Sequence, residues 1–253
     1  MIKNPIHLQI LDFIKKSNSS EDKWVQHYLG SNKPTYGIKS LEIKKFAKKI
    51  INNNDLDQIK LIDLLNSLYQ NATTFNEMAV AACILGTKAQ FCRKLDPNLL
   101  DDWLNYTNGW AEVDSLCQSN FTFDILLSDW EKWKKLLIKF NKDNNIHKRR
   151  ASLVLLNKSV QKSADPRLSK LAFQNIENLK SEKEILITKA VSWLLRSLVA
   201  FHQDEVMSYL EKNKDTLPKI AYREAFSKAT TGRKYNKKIN TDFPQKLKQN
   251  PWR

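Results

Sequence analysis

The chain has 253 residues, with 42 Lys and Arg against 27 Asp and Glu, for a formal charge of +15. A field of that sign attracts polyanions and makes nucleic acid the favoured partner class; the competing reading is a solvated, lysine-rich surface. Only 5 Gly and 7 Pro are present, so β-hairpin turns have little raw material and a mostly helical chain is expected.

Apolar residues recur at helical spacing along nearly the whole sequence. They predict helices near 4–16, 21–29, 39–52, 56–69, 74–90, 97–106, 110–118, 121–127, 129–140, 146–160, 166–178, 182–200, 203–212 and 216–229. In the third of these, Ile43, Phe46, Ala47 and Ile50 form one stripe, while Lys44, Lys45, Lys48 and Lys49 occupy the other faces. The connections are short, which favours stacked antiparallel helix pairs over a single bundle. The expected fold is therefore all-α: an α-solenoid of HEAT-like repeats with a concave basic face, a single domain over 1–232 and monomeric. Residues 233–253 carry seven Lys and Arg against the lone Asp242 and form a basic C-terminal tail.

Cys83, Cys92 and Cys117 are odd in number and form no C-x-x-C pair, and His7, His27, His147 and His202 fall in no metal motif. Neither a metal nor any other cofactor is expected. The longest apolar run, Met78 to Leu85, is too short to cross a bilayer. A cytoplasmic chain with no membrane partner is expected.

Three places carry candidate chemistry. In Gly109-Trp110-Ala111-Glu112-Val113-Asp114-Ser115, helical geometry sets Trp110 and Asp114 on one face, four residues apart. A carboxylate repels phosphate, so one kept at a nucleic-acid contact surface suits a positive charge such as a developing carbocation. Between 182 and 200 the stripe Ile187, Ala190, Val191, Leu194, Leu195 and Leu198 already supplies the packing face. Lys189, Trp193 and Arg196 form a separate line, either facing a ligand or covered by a second helix. At His147-Lys148-Arg149-Arg150 the two arginines point about 100° apart, so one can reach a phosphate while the other pairs locally. A solvated helix end is the alternative there.

These fragments occur with Tyr36-Gly37-Ile38-Lys39, Leu41-Glu42-Ile43-Lys44-Lys45, Arg149-Arg150-Ala151, Lys189-Ala190-Val191-Ser192-Trp193-x-Leu195-Arg196 and Arg223-Glu224-Ala225. Their order and spacing over about 20–230 resemble the AlkD-like DNA alkylation repair glycosylases. The resemblance implies a HEAT-like solenoid holding duplex DNA that contains a cationic alkylated purine. It implies release of 3-methyladenine and 7-methylguanine type bases by cleavage of the N-glycosidic bond, without swinging the base into a pocket. Asp114 would be the catalytic carboxylate, Trp110 and Trp193 the indoles against the deoxyribose, and Arg150 the residue holding the backbone, with Arg149, Lys148, Lys189 and Arg196 as further backbone cations.

Two departures stand out. His147 replaces an aromatic residue found in many relatives, and Glu112 adds a carboxylate that would tune or weaken the approach of DNA. The rival readings are a non-catalytic helical-repeat module binding DNA or RNA by charge and shape, and a scaffold whose groove accepts an acidic partner helix. The first needs the basic face but not Asp114; the second needs no indoles in the groove.

Overall fold

The computed structural model describes residues 4–17, 20–87 and 89–235, and among them fourteen α-helices occur and no named strand. They are α1 (Pro5–Lys16), α2 (Lys23–Leu29), α3 (Ser40–Asn53), α4 (Gln58–Gln70), α5 (Phe75–Thr87), α6 (Ala89–Lys94), α7 (Asn98–Trp103), α8 (Gly109–Cys117), α9 (Phe123–Ser128), α10 (Trp130–Asn141), α11 (Ile146–Lys162), α12 (Pro166–Leu179), α13 (Ile185–Lys212) and α14 (Lys219–Thr231). The chain is an all-α protein of stacked helices. It divides into two compact units, Met1–Asn120 and Phe121–Arg253.

Each unit is organised on one central helix. In the first, α5 buries Met78, Val80, Ala81, Ala82, Ile84 and Leu85 and packs against α3, α4 and α8. A helix apolar on nearly all sides belongs inside a stack. Its polar start is satisfied by a buried pair: Glu77 meets His7 Nε2 of α1 at 2.7 Å and accepts from the backbone and hydroxyl groups of Thr73 and Thr74. In the second unit α11 is central, burying residues from Lys148 to Val160. Asn141 donates to Ser152 and to the Asn175 carbonyl, tying α10, α11 and α12, while Gln161 and Asn157 bond the Ser197 hydroxyl of α13.

Most boundaries shift by one to three residues from the sequence expectation, α6 (Ala89–Lys94) has no counterpart in it, and three differences bear on the packing. The helix expected over 74–90 ends at Thr87, where the Asn120 side chain caps the carbonyls of Leu85 and Gly86. The segment 97–106 finishes as a 3-10 turn, Leu104–Tyr106. Conversely, the helices expected over 182–200 and 203–212 form one element, α13, kinked at His202, whose backbone leaves the helical region while its ring bonds Glu205 at 2.7 Å. By length and composition α13 could cross a membrane, but more than half of its apolar window is buried, and it packs between α11 and α14 as a core helix. The expected basic tail lies outside the described residues beyond Tyr235.

Candidate nucleic-acid interface

In the first unit the candidate groups stand on α8, whose start is fixed by backbone fit. Gly109 has φ of +69°, and a Cβ there would collide with the Gly30 carbonyl at the left-handed C-cap of α2. Only glycine meets both conditions. Glu112 completes the clamp. It is 1% exposed and accepts from the Ser31 hydroxyl, from Lys33 Nζ at 3.0 Å and from the Asn108 N–H at 2.7 Å. The last bond resembles the reach-back half of a capping box. The expectation that Glu112 faces DNA is therefore corrected: a carboxylate taken out of water needs donors, and this one finds them inside the fold.

Trp110 and Asp114 follow one turn apart, both half-buried. The indole N–H of Trp110 donates to the Tyr28 carbonyl at 2.7 Å, satisfying an acceptor left over at the end of α2, and the Tyr28 ring meets Trp110 edge-on at 5.5 Å. The orientation of Trp110 is thus set by α2. Tyr28 escaped the sequence analysis, although Trp24 and Tyr28 form an aromatic i, i+4 pair that could have marked it.

In the second unit the candidate cations surround the first turns of α11 and α13. Arg149 is committed internally: its Nε lies 2.8 Å from Glu182, and it donates to the carbonyls of Asp143 and Asn144, which holds the turn before α11. Arg150 is buried and donates to the Leu186 carbonyl in the opening turn of α13. Lys148 is also buried, 3.9 Å from Asp143. On α13 the stripe Ile187, Ala190, Val191, Leu194, Leu195 and Leu198 is fully buried, whereas Lys189, Trp193 and Arg196 are half-buried on their own line.

Glu224 of α14 completes this region, and sequence reasoning gave it no role. It is buried, accepts from the Ser192 hydroxyl at 2.6 Å and from Tyr235 at 3.1 Å, and lies 3.5 Å from both Arg196 and Lys234. The Lys189 ammonium is held below its ordinary value by burial first, then by repulsion from Lys234 and Arg150, with Glu224 offsetting part of the effect. The positive charges gathered here repel one another in the free protein, and an incoming polyanion relieves that repulsion. No group of three His, Cys, Asp or Glu that could hold a metal ion occurs among the described residues.

These stacked helices define an all-α protein with helical-repeat architecture. The model of the DNA alkylation repair enzyme family matches residues 10–229, and the chain belongs to that family. The fold is similar to a solved structure described as a predicted DNA alkylation repair enzyme from Enterococcus faecalis. The TM-score is 0.64 at 18% identity, covering 90% of this chain and 97% of that one. No curated protein sequence matches.

Proposed function

We propose that this protein is a DNA glycosylase that removes cationic N3- and N7-alkylated purines, of the 3-methyladenine and 7-methylguanine type, from duplex DNA. Such a base already carries positive charge and leaves as a neutral molecule, so no general acid is needed at the purine. The demand falls on the sugar, where an oxocarbenium-like cation grows as the glycosidic bond lengthens. Asp114 stabilises that cation by Coulomb attraction and orients the attacking water. The faces of Trp110 and Trp193 add cation–π attraction of about 0.5–2 kcal/mol each. Lys189 and Arg196 take backbone phosphates, Lys148 and Arg150 add their charge to the local potential, and Arg149 supports the turn that carries them. Neutral bases are poor leaving groups and stay in place, so selectivity follows from the chemistry of the lesion.

The observation that supports this reading best is the α8 arrangement in a chain of the DNA alkylation repair family: an indole fixed by Tyr28, with a carboxylate one turn further along the same face. The test is incubation of the protein with duplex DNA carrying 7-methylguanine, followed by chromatography of the products. Free 7-methylguanine and an abasic strand are expected, with unmodified guanine retained. A strand in which the methyl group has gone but guanine remains, or no product at all, contradicts the proposal.

A further inference from the structure

Helix α2 is an unusual element. It has seven residues, none of them buried, and a helix that short does not hold itself together. Its fixation comes from its ends. Asp22 caps the Val25 N–H at 2.8 Å, Gly30 closes the last turn, and Asp22 N–H bonds the Thr35 carbonyl at 2.7 Å; Trp110 then bonds the Tyr28 carbonyl. None of these contacts uses the Trp24 side chain, which is 71% exposed. An indole is among the largest apolar groups a fold can bury, yet this one contributes little to packing.

The exposed ring is not randomly disposed. Trp24 stacks on Tyr28, with centroids 5.8 Å apart and planes 2° from parallel, and Tyr28 meets Trp110 edge-on at 5.5 Å. The three rings make a continuous aromatic run of no more than about 11 Å from the outer indole to the one beside Asp114. Successive nucleotides of a duplex advance about 3.4 Å along the axis, so the run spans roughly three steps.

We propose that Trp24 is a further DNA-contacting residue. Its open face takes the deoxyribose and base edges of nucleotides within about three steps of the lesion, and so extends the footprint of the site to one side. The assignment rests on the glycosylase reading of Trp110 and Asp114. Duplex DNA is the occupant because the aromatic run is continuous with Trp110, the indole that the glycosylase reading sets against the deoxyribose. Contacts to the deoxyribose tolerate any sequence, since every nucleotide of a duplex presents the same sugar.

The test uses the full chain, with Trp24→Ala and Trp24→Phe beside wild type, titrated with a duplex bearing a central tetrahydrofuran abasic analogue. The flanks are then shortened one pair at a time on each side. Trp24→Ala should weaken binding about tenfold, the scale of one aromatic contact, and Trp24→Phe should restore most of it. The thermal midpoints should match wild type, because the ring is exposed. Wild type should lose affinity when the flank on one side falls below about three pairs, and Trp24→Ala should show no such step. Wild-type affinity in Trp24→Ala, or an unchanged dependence on flank length, overturns the assignment while leaving the glycosylase reading intact; a protein partner seated on Trp24 would give that result. A wild-type chain that neither binds duplex nor releases 7-methylguanine overturns both.

Discussion

Each unit buries a carboxylate close to its candidate groups, and the two carboxylates do opposite work. Glu112 in the first unit is saturated by Ser31, Lys33 and the Asn108 N–H, and it fixes where α8 begins. Glu224 in the second unit sits among cations at longer range, 3.5 Å from Arg196 and Lys234, and moderates a positive cluster. The first is a positional device and the second an electrostatic one. A basic chain that approaches phosphate can keep such carboxylates because their charge is spent inside the fold.

This contrast can be broken by mutation. The largest expected effect is that of Glu112→Ala, which leaves Lys33 and two further donors facing a vacated site. A loss of about 3–5 kcal/mol is expected from chemical denaturation, as for a broken buried ion pair, with base release falling in parallel. Near-native stability would show that α8 is anchored by other contacts. Glu224→Ala should cost less, about 2–3 kcal/mol, since its cationic partners are more exposed. It should also tighten duplex binding at low salt, measured by anisotropy titration; weakened binding would mean that Glu224 positions Arg196 more than it restrains it.

Acid probes a further buried carboxylate of the first unit. Burial alone would raise the Glu77 carboxyl, but hydrogen bonds from His7, Thr74 and Thr73 together outweigh it and hold the group below its ordinary value of 4.5. A carboxyl lowered on folding adds stability above that ordinary value and loses it as pH falls through the folded one. Stability of wild type should therefore drop below about pH 4.5, and Glu77→Gln should be less stable at pH 7 with a shallower acid limb. Identical slopes for the two proteins would remove this pair from the acid response. The smallest effect expected is that of Lys189→Ala, which should reduce the slope of log affinity against log salt by about one. An unchanged slope would take Lys189 off the phosphate contact.

The helices were legible in the sequence because the apolar stripes repeat at the helical period, and the α13 stripe from Ile187 to Leu198 packs as its spacing requires. The family was legible in fragments carried by side chains with unusual chemistry, such as Trp110 with Asp114. What stayed hidden depends on contacts between residues distant in sequence. Glu112 could not be told from a DNA-facing carboxylate without Ser31 and Lys33, roughly eighty positions earlier. Arg149 and Arg150 look equivalent in sequence, yet one pairs with Glu182 and the other bonds Leu186. The break expected between 200 and 203 falls where His202 leaves the helical region, but the sequence did not show that the helix resumes at once, so that α13 is one kinked element.

The most direct test of the central claim is single-turnover release of 7-methylguanine by Asp114→Asn, with duplex affinity measured on the same preparation. The substitution keeps the shape of the side chain and removes its charge. A fall of at least about 10²-fold in the rate, with duplex binding unchanged or tighter, is predicted if the carboxylate stabilises a cationic sugar. Release at the wild-type rate would contradict the account, because no other group has been assigned that charge.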